Sequence, residues 1–380
     1  MNQDLALDVL SQIMNWPDDR ARKEFQWLRL MARLKYDGYG DFHAGLRFIE
    51  SLATWLQQFK KPDRDTAYDF VRNTLVYIGP GEMQRLVEQF YPRIVFERLM
   101  RTVAREMGLP TYMVLADPGA REAIRRLRRQ TLFMGSSDGA RIDVIRHMNA
   151  GLLSNEQLVQ GIQVNKDKWK DLRDSLRKDL QDQTAHFRLV YLIDDFTATG
   201  TTFLRRDEEK AKWKGKLAHF RNSLRSANAD LDGDGPFASE WELCVHHYVA
   251  SKAAVDALDK HLALAASEFA DERWAHHTHV SYGTILPPGL PIDSVPERYD
   301  AFIKLAQDTY DPIIETKHTA VGGVKNIALG YGGCALPLVL EHNTPNNSIA
   351  LLWAETDGGV RDGITAPPMR PLFRRRQRHG

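Results

Sequence analysis

The sequence predicts an α/β fold: a mostly parallel sheet covered by helices, preceded by an α-helical N-terminal lobe. Three observations carry this expectation. Residues 5–107 place apolar side chains at three-to-four spacing and show no obvious strand. From residue 110 onward, short apolar runs alternate with amphipathic or charged stretches, the pattern of strand–helix units packing both faces of a parallel sheet. One run, Val190-Tyr191-Leu192-Ile193, is apolar throughout, as a strand buried on both faces must be, and it ends in paired carboxylates and a small-residue loop. The chain is therefore expected to divide into a helical lobe at 1–107, an α/β domain at 108–366 and a basic tail at 367–380.

Within the lobe, Phe25 to Met31 and Leu46 to Leu56 have helical periodicity. Gly38-Tyr39-Gly40, Lys60-Lys61-Pro62-Asp63 and Gly79-Pro80-Gly81 break it. Trp27, Trp55, Phe70 and Tyr77 lie at helical spacing and are expected in the core. Pro110 to Leu115 is expected as a first strand, followed by a basic helix, Arg121 to Arg129, that is either a solvated face or an anion contact. Thr131 to Met134 is the next strand; it opens into Gly135-Ser136-Ser137-Asp138-Gly139 and a helix from Ala140 through Met148. An exposed charged helix between Asn165 and Gln183 leads to the strand at Val190. Beyond Thr202 the chain turns polar, which predicts a helix from Phe203 and a long basic one over Arg205 to Ser226. Leu243 to Val249 and His277 to Tyr282 are expected strands, with a helix over Lys252 to Leu264. Leu338 to Leu340 and Ile349 to Trp353 read as strands bracketing an amide-rich turn.

Composition narrows the function classes. Fifty-one basic against 50 acidic residues leave a net charge of +1, so global charge predicts neither nucleic-acid nor membrane binding. Cys244 and Cys334 lack metal-ligand spacing and are expected as buried thiols in a reducing compartment. The polar, acidic N-terminus is unlike a signal peptide, and no apolar run approaches the ~20 residues needed to span a bilayer, so a cytoplasmic protein is expected. Asp230 to Gly235 resembles the start of a calcium loop, but its twelfth position is Trp241 where a bidentate Glu is required. His246, His247, His276, His277 and His279 lack companion ligands at zinc spacing and are expected to be structural. The arginines of the tail, Arg370, Arg374, Arg375, Arg376 and Arg378, suit either a solubilising appendage or phosphate contacts to nucleic acid.

The chemistry concentrates at Asp194, Asp195 and the loop Thr197-Ala198-Thr199-Gly200-Thr201-Thr202. A loop between a strand end and a helix start presents unpaired N–H groups, and small hydroxyl residues let an anion approach and donate to it. Adjacent carboxylates would repel that anion unless they face ribose hydroxyls or hydrated Mg²⁺. The loop Gly135, Ser136, Ser137, Asp138 and Gly139, with Arg141 on the following helix, is a second small-residue loop between a strand and a helix; taken alone it reads as a turn, and its place before the motif suits an anion contact. The segment Glu341 to Ser348 is either a plain turn or a contact in which the amides of Asn343, Asn346 and Asn347 read a base or other acceptor.

The stretch from Val190 to Thr202 resembles the phosphoribosyl pyrophosphate (PRPP) signature of type I phosphoribosyltransferases. That resemblance implies a sheet of the type I phosphoribosyltransferase kind. It also implies that Asp194 and Asp195 hold the ribose hydroxyls and metal, that Thr197 to Thr202 cradle the 5′-phosphate, and that Gly135 to Gly139 with Arg141 face the diphosphate. The departures are Thr197, where the family usually has an aliphatic residue, and Ala198, where many purine-salvage members carry a proton-exchanging Asp. The helical lobe, Ser137 to Asp143, the PRPP motif and His342 to Asn347 together look like phosphoribosyltransferase-like proteins of bacterial conflict systems, some of them associated with retrons. This implies a role in anti-phage defence with a partner protein or RNA. It leaves open a Mg²⁺-dependent transferase or nucleotide-cleaving enzyme, with Asp194, Asp195 and Arg141 catalytic, and a catalytically silent sensor of PRPP or a nucleotide.

Overall fold

The computed structural model describes every residue except 1–2, 41, 43–46, 208, 232, 269–276, 317–318, 320–321, 362–363 and 376–380. Its strands, in chain order, are β1 (Val76–Ile78), β2 (Thr131–Gly135), β3 (Leu158–Val159), β4 (Phe187–Thr197), β5 (Arg205–Asp207), β6 (Lys212–Lys214), β7 (Phe237–Ala250), β8 (His277–Ile285), β9 (Leu338–Leu340), β10 (Gly359–Arg361) and β11 (Ile364–Ala366). By internal contacts the chain forms two units, one of Met1–Met83 with Pro287–Gly380, the other of Gln84–Leu286.

The second unit is the α/β fold expected. Its five-stranded sheet runs β3-β2-β4-β7-β8, every pair parallel. The apolar run of β4 is central because both its faces are covered. On one face Val190 and Leu192 pack with Trp169 and Leu172 of the helix Lys166–Leu180 and with Phe220 and Leu224 of the helix Lys216–Asp230. On the other, Tyr191 and Phe133 meet Phe90 at ring-centroid distances of 5.4 and 6.2 Å. Phe90 begins the turn that leads into the helix Phe96–Met107, so residues 84–107, expected in the lobe, share a unit with the sheet.

The strand order matters for the site. Counting only these strands in chain order, the sheet reads 2-1-3-4-5, and the order reverses between β2 and β4; in open α/β sheets ligands bind beyond the carboxyl ends of the strands at such a point. β2 stops at Gly135 opposite Ile193, whereas β4 and β7 continue together to Thr197 opposite Ala250. Asp194 and Asp195 fall in the stretch of β4 that β2 has left behind.

The structure corrects several local expectations. Pro110 to Leu115 is not a strand: Thr111–Met113 is a 3₁₀ turn, Pro110 has no N–H for a ladder, and Tyr112 is 84% exposed. The helix expected from Phe203 starts only at Lys216, after an antiparallel hairpin of β5 and β6. Lys214 and Asp207 pair between the two strands of that hairpin at 2.5 Å. Ile349 to Trp353 contains a short helix, Ala350–Trp353, in place of a strand; so brief an apolar run has no period to distinguish the two. β1 was not legible, because its ladder partner, β9, lies far away in sequence.

In the first unit the N-terminal helices share a core with residues beyond 287. Phe373, 0% exposed, sits among Tyr36, Tyr39, Phe42, Phe48 and Tyr77. Phe70 stacks on Phe302 at 3.8 Å, and the Trp55 indole donates to the Leu351 carbonyl at 2.7 Å. Trp55, Phe70 and Tyr77 are buried as expected, and Trp27 is partly buried. Residues 369–373, expected in the tail, include Met369 and Leu372 within this core. Arg374 pairs with Glu355 at 2.7 Å and Arg375 lies over the Trp353 ring, while Arg376 and Arg378 fall outside the described residues. Among the described residues no helix is long and apolar enough to cross a membrane.

Candidate functional site

Successive side chains of a strand point to opposite faces, so β4 sends its adjacent acids in opposite directions. Asp194 shares a face with its register partner His247 and is 4% exposed. Its Oδ1 accepts from the Ser137 hydroxyl at 2.5 Å and from the Asp195 amide at 3.2 Å; its Oδ2 accepts from the Lys216 ammonium. Burial raises its pKa above the ordinary carboxylate value and the Asp195 charge adds to the rise, while Lys216 and Ser137 pull it down. With an ammonium and a hydroxyl both donating to it, Asp194 is held as the anion of an ion pair. Asp195 is half-buried on the opposite face, where the Ser137 hydroxyl lies 3.4 Å from its Oδ1.

The loop after β2 is folded onto these acids. The Ser136 amide and hydroxyl both donate to the Ile193 carbonyl, at 2.8 and 3.0 Å. A Cβ at Gly139 would lie 2.4 Å from Asp195 Oδ2 and 2.5 Å from its Cγ, so only glycine lets the loop cover the carboxylate. Tyr248 of β7 donates to the Ala140 carbonyl at 3.0 Å and pins the loop from below. Arg141 adopts a left-handed conformation (φ 53°), uncommon for a residue with a Cβ, and both its charge and that of Asp195 act on the Tyr248 hydroxyl. The structure thus brings Gly135 to Gly139, Arg141 and Asp195 together. Asp138 is exposed.

The loop after β4 turns at Gly200 (φ 71°). Thr197 Oγ1 accepts from the Gly200 amide at 3.2 Å, and Phe203 and Leu204 both donate to the Gly200 carbonyl. Ser251, at the end of β7, secures the near side by donating its amide to the Thr197 carbonyl (2.9 Å) and its hydroxyl to the Ala198 carbonyl (2.6 Å). The hydroxyls of Thr199 and Thr201 share a hydrogen bond of 2.7 Å. The amides of Ala198, Thr199 and Thr202 donate to no group among the described residues.

A helix does reach this loop, but only after the hairpin. Lys216 and Leu217, its first residues, donate their amides to the carbonyls of Thr202 (3.1 Å) and Phe203 (3.0 Å). Gly215 permits this approach, since its φ is 108° and a Cβ would lie 2.5 Å from the Phe203 carbonyl oxygen. Lys216 therefore braces the loop through its backbone and Asp194 through its side chain. Sequence reasoning missed this residue because the hairpin separates it from the motif. The available signal was Gly215 just before the apolar period Leu217, Phe220 and Leu224.

His246 and His247 are fully buried, and burial lowers both to a pKa of about 3, with neighbouring positive charge contributing: His247 acting on His246, and Lys216 on His247. His246 bonds Ser281 at 2.9 Å. The ring nitrogens of His247 have no partner among the described residues. His279 lies against Arg98 and Glu242, and His276 is outside the described residues. Cys244 is buried and Cys334 half-buried, and burial pushes their thiols up to about 12 and about 11.

The arrangement does not fit a divalent ion bound at Asp194. Mg²⁺ demands near-octahedral oxygen ligands, and both Asp194 oxygens are committed to Ser137, the Asp195 amide and an ammonium. Among the described residues no three or more acids, histidines or cysteines gather for a metal.

Asn343, Asn346 and Asn347 belong to the first unit. There Asn346 accepts from the Tyr331 amide (2.7 Å) through its carbonyl, and Asn347 spends its side-chain amide on the Tyr331 carbonyl (3.0 Å). Asn343 Oδ1 is buried without a hydrogen-bond partner among the described residues.

No curated protein and no solved structure matches the chain significantly. One family model, described as PRTase-CE, matches residues 52–375, which includes both site loops, the paired acids and Lys216. The chain belongs to the PRTase-CE family and is a phosphoribosyltransferase-like protein.

Proposed function

We propose that the site at the carboxyl end of β4 binds PRPP or a nucleotide through its 5′-phosphate. The observation that carries this is the set of amides at Ala198, Thr199 and Thr202, unspent among the described residues and grouped around the Gly200 turn at the point where the strand order reverses. The phosphate sits on these amides and the threonine hydroxyls. Asp195, rather than the ion-paired Asp194, accepts from the ribose hydroxyls, and the loop Gly135 to Gly139 with Arg141 receives a diphosphate. The setting we propose is bacterial anti-phage defence with a partner protein or RNA, a reading supported by the family resemblance alone.

The same groups would stabilise a diphosphate leaving C1′. A silent sensor is the second reading, and one observation favours it: Ala198 offers no proton acceptor and the neighbouring His246 and His247, with pKa values of about 3, are weak bases at neutral pH. Calorimetry with PRPP and with a nucleoside monophosphate tests binding, and an assay for released pyrophosphate separates transferase from sensor. Asp195→Asn is expected to weaken PRPP binding by about tenfold or more without unfolding the protein, as befits loss of a charged hydrogen bond. Undiminished binding by the folded variant overturns the assignment.

A further inference from the structure

We propose that Lys216 is the resident cation of this site, so that a 5-phosphorylated ribose binds without a divalent metal. The inference rests on the function proposed above and concerns how that site balances charge. Adjacent carboxylates beside a phosphate loop need a positive charge. In this chain a side chain supplies it.

The geometry is specific. The Lys216 ammonium lies on Asp194 Oδ2, and the same residue's amide holds the Thr202 carbonyl of the phosphate loop at 3.1 Å. Backbone and side chain together fix the charge between the acid and the loop. The walls concentrate its field: His247, fully buried and sensing the Lys216 charge, packs edge-on against Phe203 at 5.4 Å. An ammonium has three donors, and the bond to Asp194 uses one of them, leaving others for phosphate or ribose oxygens. Its side chain remains 23% exposed, so it is accessible from the solvent side. A metal at Asp194 would have to displace this ammonium and the Ser137 hydroxyl together, losing charge-assisted hydrogen bonds before gaining any ligand.

The test measures binding of ribose 5-phosphate, and separately of PRPP, to the full chain by calorimetry in EDTA and in Mg²⁺. The wild type is expected to bind ribose 5-phosphate equally in both. Lys216→Gln frees the Asp194 carboxylate, so its affinity should fall by about tenfold in EDTA and recover when Mg²⁺ is added. A titration with Mn²⁺ alone should then show binding by the variant and none by the wild type. A wild type that binds ribose 5-phosphate only with Mg²⁺ overturns the inference while leaving the function intact, and this arm needs no variant to fold. A variant as indifferent to Mg²⁺ as the wild type overturns it too. If the wild type binds neither of these ligands nor a nucleoside monophosphate under either condition, the proposed function falls and this inference with it.

Discussion

The two faces of β4 differ more than their adjoining acids suggest. On the Asp194 face the carboxylate is buried, hydrogen-bonded on both oxygens and ion-paired, above a core of Leu192, Val245 and Phe220. On the Asp195 face the carboxylate is half-buried under a glycine loop, beside Tyr248 and Arg141. The lesson is that a paired-acid motif need not assign equal work to its members: burial converts one acid into scaffold and leaves the other at the surface of the site.

The largest effect that separates the faces is expected from Lys216→Met. It leaves the Asp194 charge buried without its ion-pair partner and should cost about 3–5 kcal/mol in urea unfolding. Adding Asp194→Asn to that variant should restore most of the loss, because both charges are then gone. A single variant as stable as the wild type would break the comparison, since Asp194 would then be as tolerant as a surface acid.

The next effect is a pH dependence with one contributor on each face of β7. His247 lies on the Asp194 side and His246 on the other, both with pKa values lowered to about 3. In the unfolded chain they take up protons below about 6.5, whereas the folded protein refuses them until about pH 3, so stability is present above 6.5 and is lost as pH falls toward 3. Each histidine contributes about 1.4 kcal/mol per pH unit over that window, or about 3 kcal/mol for both at pH 5.5. His246→Asn and His247→Gln should each remove about half of the loss between pH 7.5 and 5.5. Unchanged acid sensitivity in both would show that neither ring is held neutral.

The smallest effect comes from Ser137, whose hydroxyl reaches both acids, at 2.5 Å to Asp194 and 3.4 Å to Asp195. Ser137→Ala should cost about 1 kcal/mol in unfolding and weaken PRPP binding modestly, since each acid keeps other contacts. A loss as large as that of Lys216→Met would mean that the hydroxyl, not the ammonium, secures the Asp194 face.

Much of this was legible in the residues. The strand at Val190 is apolar because both its faces are buried, and the small-residue loops after β2 and β4 stand at strand ends where only such residues fit. Less legible were elements that depend on distant partners. β1 exists because of β9, and Phe373 is core because it completes a ring cluster begun by Tyr36 and Phe48, so a basic composition concealed a buried segment. The hairpin of β5 and β6 hid the origin of the helix that braces the loop after β4.

The sequence by itself determined the α/β class, the order of strand–helix units and the two loops at the carboxyl edge, because these follow from local periodicity and from the small side chains a tight backbone requires. Only the tertiary structure decided which acid is buried, which cation neutralises it and where residues 287–373 pack. Each of these depends on side chains separated in sequence being brought into one low-dielectric environment, where charge pairing and burial are settled together.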